Sequence, residues 1–197
     1  HRLEFATASR LHIAVSEAIV WGNRGLDLSY VNPLAVFYVT QANNGDEDNA
    51  LGSIDGRLRV GRGLELYGEC VVDDLNLRRG LQHYGNKLGV LAGLQWAAPF
   101  GARDWDLLAE WSWASQFTYT HHFPINRYEH YGVSVGSRTG PDSDLWTLAL
   151  GRRWTRGWST RFAYEVERHG EGDLATGHDE RTSDEQDYLS GVVETRH

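Results

Sequence analysis

WDLLAEWSW, residues 105–113, decides how the rest of this chain reads. In an extended strand successive side chains point to opposite faces. Trp105, Leu107, Ala109, Trp111 and Trp113 therefore share one face, and Asp106, Leu108, Glu110 and Ser112 share the other. The same period of two recurs in both directions from this segment. Upstream, Leu88, Val90, Ala92, Leu94 and Trp96 oppose Gly89, Leu91, Gly93 and Gln95. Further upstream, Leu64, Leu66, Gly68, Cys70 and Val72 oppose Glu65, Tyr67 and Glu69, while Ile54, Gly56, Leu58 and Val60 oppose Asp55, Arg57 and Arg59. Downstream, Trp146, Leu148 and Leu150 continue the pattern, and Trp158, Thr160, Phe162, Tyr164 and Val166 oppose Ser159, Arg161, Ala163, Glu165 and Glu167. Residues 11–21 alternate imperfectly, because Glu17 falls on the apolar side of Leu11, Ile13 and Val15; a bulge near Ser16 would restore the phase.

A soluble sandwich also alternates, so two further features select between fold classes. Trp96, Trp105, Trp113, Trp146 and Trp158 stand near the ends of apolar faces, as the aromatic girdles of a membrane barrel require. Tight turns around residues 61–63, 99–104 and 155–157 alternate with long polar segments at 22–49, 73–86, 115–143 and 170–187. That rhythm belongs to an up-and-down barrel with short turns on one side of the membrane and long loops on the other. All four prolines fall in the connections, as strand hydrogen bonding demands. The expected fold is all-β: an antiparallel up-and-down transmembrane barrel, of which this chain supplies about nine or ten strands. Strand-like sequence runs up to both His1 and His197. Residues 1–197 are therefore expected to form one partial barrel domain, truncated at both ends and without a second domain.

Bulk composition narrows the function. No apolar run approaches the ~20 residues of a spanning helix, which leaves barrels open. The 197 residues include eight Trp and nine Tyr, rings that suit membrane interfaces, sugar stacking or large cores. A formal net charge of -8 offers no polycationic patch for nucleic acid. Cys70 is the single cysteine, so neither an internal disulfide nor a cysteine-based zinc site is available.

Several segments resemble the Wzi-type capsule-assembly proteins of the bacterial outer membrane. These are SEAIVWGNRGLDLSYVNPLAVFY (residues 16–38), DNALGSIDGRL (48–58), LELYGECVVDDL (64–75), TYTHHFPINRYEHYG (118–132) and YEVERHGEGD (164–173). The resemblance implies a larger barrel of roughly eighteen strands with helical material on the periplasmic side. This chain would be its later part without the last strands. It also implies a location in the bacterial outer membrane and a role in attaching or organising capsular polysaccharide at the cell surface. The partners it implies are capsular or other surface polysaccharide and outer-membrane lipid.

The loop at 118–131 is the richest in candidate contacts. Tyr119, Tyr128 and Tyr131 offer stacking faces, and His121, His122, His130, Asn126 and Arg127 offer directional hydrogen bonds to a carbohydrate. The plain alternative is a loop folded over the barrel mouth, its aromatic rings packing on one another. In the first long loop Asn23, Arg24, Asp27 and Asn32, beside Gly22 and Gly25, either bond sugar hydroxyls or turn the chain and pair among themselves. The adjacent Asp73 and Asp74 invite a glycosidase reading. Neighbours on one strand point to opposite sides, however, so structure or ligand hydrogen bonding is the stronger reading.

No cofactor and no metal are expected. The spacing of the three loop histidines matches no standard metal site. Asp46, Glu47 and Asp48 beside Asn43, Asn44 and Gly45 suggest calcium, but EF-hand spacing is absent, which favours a solvated acidic tip. Asp55, Arg57, Arg59, Glu65, Glu69, Glu110, Arg161 and Glu165 most simply form a cross-strand ion network inside the barrel, with a polar conduit as the functional alternative. Neither G-x-S-x-G nor H-E-x-x-H occurs. The leading expectation is a non-enzymatic polysaccharide-binding barrel; a rim hydrolase using carboxylates and histidines is the alternative.

Overall fold

Antiparallel strands, each paired with its neighbour along the chain, make up most of the molecule. The computed structural model describes residues 1–7, 10–45, 47–80, 83–155, 157–175 and 187–197. Parts of the long segments expected at 73–86 and 170–187, and residue 156 of the last tight turn, lie outside the described residues. In chain order the elements are β1 (Arg2–Thr7), β2 (Leu11–Val20), α1 (Phe37–Asn43), β3 (Asn49–Gly61), β4 (Leu64–Asp74), β5 (Lys87–Ala97) and β6 (Trp105–Ala114). They continue with β7 (Glu129–His130), β8 (Val133–Ser134), β9 (Ser143–Thr155), β10 (Trp158–His169) and β11 (Glu194–Arg196). One nine-stranded sheet runs β1-β2-β3-β4-β5-β6-β9-β10-β11, and β7 and β8 form a separate hairpin within the third long loop. Each of the main pairings is antiparallel. The expected all-β up-and-down architecture is thus present, and its strand number falls in the expected range. No helix among the described residues is long and apolar enough to cross a membrane.

Cross-strand partners share a face, so the registers sort the side chains into two surfaces. One row runs Asp55–Glu69–Leu91–Ser112–Leu145–Glu167. Side chains of this surface on strands from β2 to β10 line one cavity, so the sheet curls around them and this is the inner face. The other surface carries the apolar halves of the alternation, and those side chains stand open. Leu3, Phe5, Val15, Ile54, Trp146, Leu148, Phe162 and Tyr164 are all at least half exposed. A sandwich would have turned that surface onto a second sheet. Here it faces outward, opposite to the soluble pattern and in line with a lipid-facing wall.

Tryptophans bound this outward face. Trp113 caps β6 at the long-loop end, and Trp96, Trp105, Trp154 and Trp158 lie at the tight-turn end. Trp105 to Trp113 measures about 26 Å along the strand, or about 20 Å at a barrel tilt of ~40°. That is the scale of the ~25 Å apolar band of outer-membrane barrels.

The long connections leave from one end of the sheet and the short ones from the other. At the long-loop end the interior is polar. Lys87, Asn86, Asp48, Asp142 and Asp144 are among the most deeply buried large side chains, beside Phe117.

Three expectations need correction. β2 pairs with β3 without a register shift from Leu11 to Val20, so no bulge occurs at Ser16. Glu17 remains on the outward surface because partners meet it there: its Oε2 accepts the Phe37 N–H at 2.9 Å and its Oε1 lies 2.8 Å from His1 Nδ1. A register shift does fall between Val72 and Asp74, at Asp73. Second, the segment 22–49 holds a helix, α1, where a polar loop is expected. It forms because Phe37 is buried against Tyr30 and Ala50, with Ile19 and Trp21 packed beside them. Third, the interior charges pair more thinly than one network. Arg59 meets Glu65 at 3.2 Å and Asp55 meets Arg2 at 2.5 Å, but Glu165 turns to Arg138 of the third long loop at 2.8 Å.

Candidate functional site

Four segments gather at the long-loop end, and each is held by a buried polar group. In the first, Arg24 grips Asp48 through both guanidinium ends, with Nη1 to Oδ1 at 2.6 Å, and also reaches Asp27 Oδ2 at 3.3 Å. The Tyr30 hydroxyl donates to Asp48 Oδ2 at 2.5 Å. Burial alone would push the Asp48 carboxyl up, but the hydrogen bonds from Arg24 and Tyr30 outweigh it and hold the group below the usual carboxylate range. Tyr30 is in turn pushed up to about 12 by burial and by its bond to Asp48. Asp27 accepts the Ser29 hydroxyl at 2.6 Å and N–H at 3.0 Å, which hold it below its ordinary value. Asn23 is exposed and turns the chain with φ 57°, in the left-handed region that asparagine tolerates. Asn32 caps its own turn, its Oδ1 accepting the Leu34 N–H at 3.0 Å. Asp46, the first of the three residues suggestive of calcium, lies outside the described residues. Asp48 is already engaged by Arg24 and Tyr30.

In the second segment the buried Asn86 spans the turn, accepting the Asn76 N–H at 2.7 Å and donating to the Gly80 carbonyl at 2.8 Å.

The third long loop, residues 115–142, folds into the mouth. Tyr119 is buried against Leu51, Ala114 and Val71 of the wall and against Tyr128. Its backbone N–H donates to Asp73 Oδ2 at 2.9 Å. Asp74 instead meets Lys87 Nζ at 2.9 Å, and Lys87 donates to the Thr120 carbonyl at 3.0 Å. The two adjacent carboxylates therefore secure one loop at two points. The Tyr119 ring occupies space left by glycine: a Cβ on Gly136 would overlap it. Burial pushes the Tyr119 hydroxyl up to about 12. The Asn126 amide donates to the Glu47 carbonyl at 2.7 Å, and Asn49 donates to the Asn126 carbonyl at 3.0 Å, so the first and third loops lock together. Ile125 packs directly on Gly22.

The candidate contacts thus divide. Tyr119, Asn126 and Asp73 are buried and face protein. His121 is half-buried; its Nδ1 accepts the Phe123 N–H at 3.1 Å, and burial together with nearby Lys87 lowers its pKa. Tyr128 and Arg127 are half-buried, and Arg127 donates to the Ala175 carbonyl at 3.4 Å. His122, His130 and Tyr131 are exposed, Tyr131 at 93%. His130 and Tyr131 meet edge-to-face at 4.4 Å on the tip of the β7–β8 hairpin. Asp73 gives Oδ2 to the Tyr119 N–H and Asp74 meets Lys87, so both carboxylates hold the loop and the rim hydrolase finds no support.

Sequence reasoning misses the anchors of the fourth segment. Asp144 binds Arg168 bidentately, with Nε to Oδ1 at 2.9 Å, and accepts the Tyr188 hydroxyl at 2.6 Å. Tyr188 stacks on Trp113 at 5.7 Å. Asp142 accepts the Gly172 and Ser190 N–H groups at 2.7 and 2.9 Å. The signal available is the Asp-Ser-Asp at the start of β9, where carboxylates meet the loop backbone.

The family model described as capsule assembly protein Wzi matches residues 1–191 of the chain. The chain belongs to the Wzi capsule assembly family. This match extends the resemblance carried by residues 16–38, 48–58, 64–75, 118–132 and 164–173 across nearly the whole Wzi-family chain. No curated protein and no solved structure matches the chain significantly.

Proposed function

We propose that this Wzi-family chain is part of an outer-membrane β-barrel that binds or organises capsular or other surface polysaccharide through its external loops, without catalysing a reaction. The outward apolar face between its tryptophan rows supports contact with outer-membrane lipid. β1 and β11 each pair on one side only among the described residues. Open strand edges are not tolerated in hydrocarbon, so the nine strands are one arc of a barrel, closed by further strands. The tight turns lie on the periplasmic side and the four long segments outside.

The observation that carries the polysaccharide reading is the built surface of the third loop. Buried Asp73, Lys87 and Asn126 hold its base, and His122, Arg127, His130 and Tyr131 remain on its accessible side. Ring faces with adjacent imidazole and guanidinium donors suit sugars, which present apolar ring faces and rows of hydroxyls. Asn23 and Arg24 border the same end. The test replaces His122, Arg127, His130 and Tyr131 by Ala together in the full-length protein. Binding of purified capsular polysaccharide and its retention on cells fall while the amount of barrel in the outer membrane stays constant. Unchanged binding and retention would remove the loop assignment.

A further inference from the structure

Beneath the third loop lies a cavity of about 620 Å³, walled by the inner face of β2 to β10 and roofed by Tyr119, Tyr128 and the chain around Arg138. This is within the ~300–1,000 Å³ range of small-ligand sites. Its roof is fixed: Arg138 donates to Glu165 of β10 at 2.8 Å, and the Tyr128 N–H donates to the Tyr119 carbonyl at 3.0 Å.

The charges on the wall are not balanced. On the inner face Glu69, Glu110 and Glu165 meet only Arg138 and Arg161. Glu165 is taken by Arg138, and Glu110 accepts the Tyr67 hydroxyl at 2.6 Å through one oxygen. Glu69 lines the cavity without an ion pair or hydrogen bond among the described residues. Glu69 is therefore a charged acceptor left for a ligand, beside the hydroxyls of Ser53 and Ser112, while the Tyr119 and Tyr128 rings, 6.0 Å apart, supply apolar faces. Carboxylates accept from neighbouring hydroxyls and repel a second carboxylate.

We propose that this cavity binds a neutral sugar ring, with Glu69 accepting from its hydroxyls and Tyr119 and Tyr128 covering its apolar face. The proposal rests on the polysaccharide reading above and deepens it, placing one unit of the chain inside the mouth while the loop surface holds the remainder.

The test titrates full-length protein in detergent micelles with glucose, galactose, mannose and glucuronate, followed by ligand-observed NMR. At least one neutral hexose binds saturably and more tightly than glucuronate. E69Q weakens that binding roughly ten-fold, as expected for loss of one charge-assisted hydrogen bond. S112W, which fills the cavity from β6, abolishes it. Heat-modifiable gel mobility reports whether each variant folds; should S112W not fold, S53L fills the opposite wall and gives the same readout. Absence of saturable hexose binding, preference for glucuronate, or binding indifferent to both E69Q and the filling variant overturns the pocket. Polysaccharide retention measured in parallel separates the two readings: retention intact without hexose binding removes the pocket alone, and retention indifferent to the loop variants removes the loop reading.

Discussion

The two faces of one sheet have opposite chemistry. On the outward face Leu148, Ile54 and Phe162 are at least half exposed, with no second layer among the described residues to cover them. On the inner face of the same sheet, Asp55, Glu110 and Glu165 are hydrogen-bonded to Arg2, Tyr67 and Arg138. A water-soluble sheet buries its apolar side. Here the apolar side is the one left open, so the surroundings rather than a core must satisfy it, which is the ground for the proposed contact with lipid.

The largest expected effect comes from reversing that polarity. Leu148→Arg places a cation in the outward face and lowers stability by about 2–4 kcal/mol near the bilayer midplane. Thr147→Arg, its neighbour on the inner face, changes stability far less. Urea unfolding of the full-length protein in lipid vesicles checks the pair; equal losses would mean that the faces do not meet different solvents.

A smaller effect is expected at the loop end. Asp48→Ala removes the charge-assisted bonds from Arg24 and the one from Tyr30, a loss of about 1.5–3 kcal/mol in the docking of the first loop. The pH dependence has a definite sign. The Asp48 carboxyl is held below its ordinary value of 3.8, so its contribution is complete above that value and is lost as pH falls through the lower folded value. Asp48→Asn removes this acid lability, which proteolysis of the first loop across the acid range would read.

Weaker still is Arg138→Ala. The pair with Glu165 is largely exposed, so stability changes by about 0.2–1 kcal/mol, but the third loop loses a tie to the wall and is cleaved faster by added protease. Tyr131→Ala, at a side chain 93% exposed, changes stability by less than about 0.5 kcal/mol. Its effect is expected in polysaccharide retention alone.

The strands are legible because each keeps a strict period of two with chemically different faces, and the faces assigned from residues 105–113 are those found. Legibility fails where tertiary partners override the local pattern. Glu17 looks out of phase only because His1 and the Phe37 N–H, distant in sequence, await it at the rim. The helix α1 has no side-chain cap and a β-branched interior, so its propensity is weak and docking of Phe37 sustains it. Among the candidate contacts, composition marks the right loop but not the direction of its side chains. Whether Tyr119 faces solvent or protein depends on room left by Gly136 and on the carboxylate of Asp73, neither of which is adjacent in sequence. Tyr131, in the same loop, has the same side chain and the opposite exposure.

The claim on which the rest stands is that the outward face meets hydrocarbon. Full-length protein reconstituted into vesicles of lipids brominated at mid-chain tests it, with Trp111 and Trp146 kept and the other tryptophans replaced by Phe. Strong quenching of these two outward residues by the brominated chains, and little by aqueous iodide, is the predicted result. Quenching by iodide with none from the brominated lipid would contradict it.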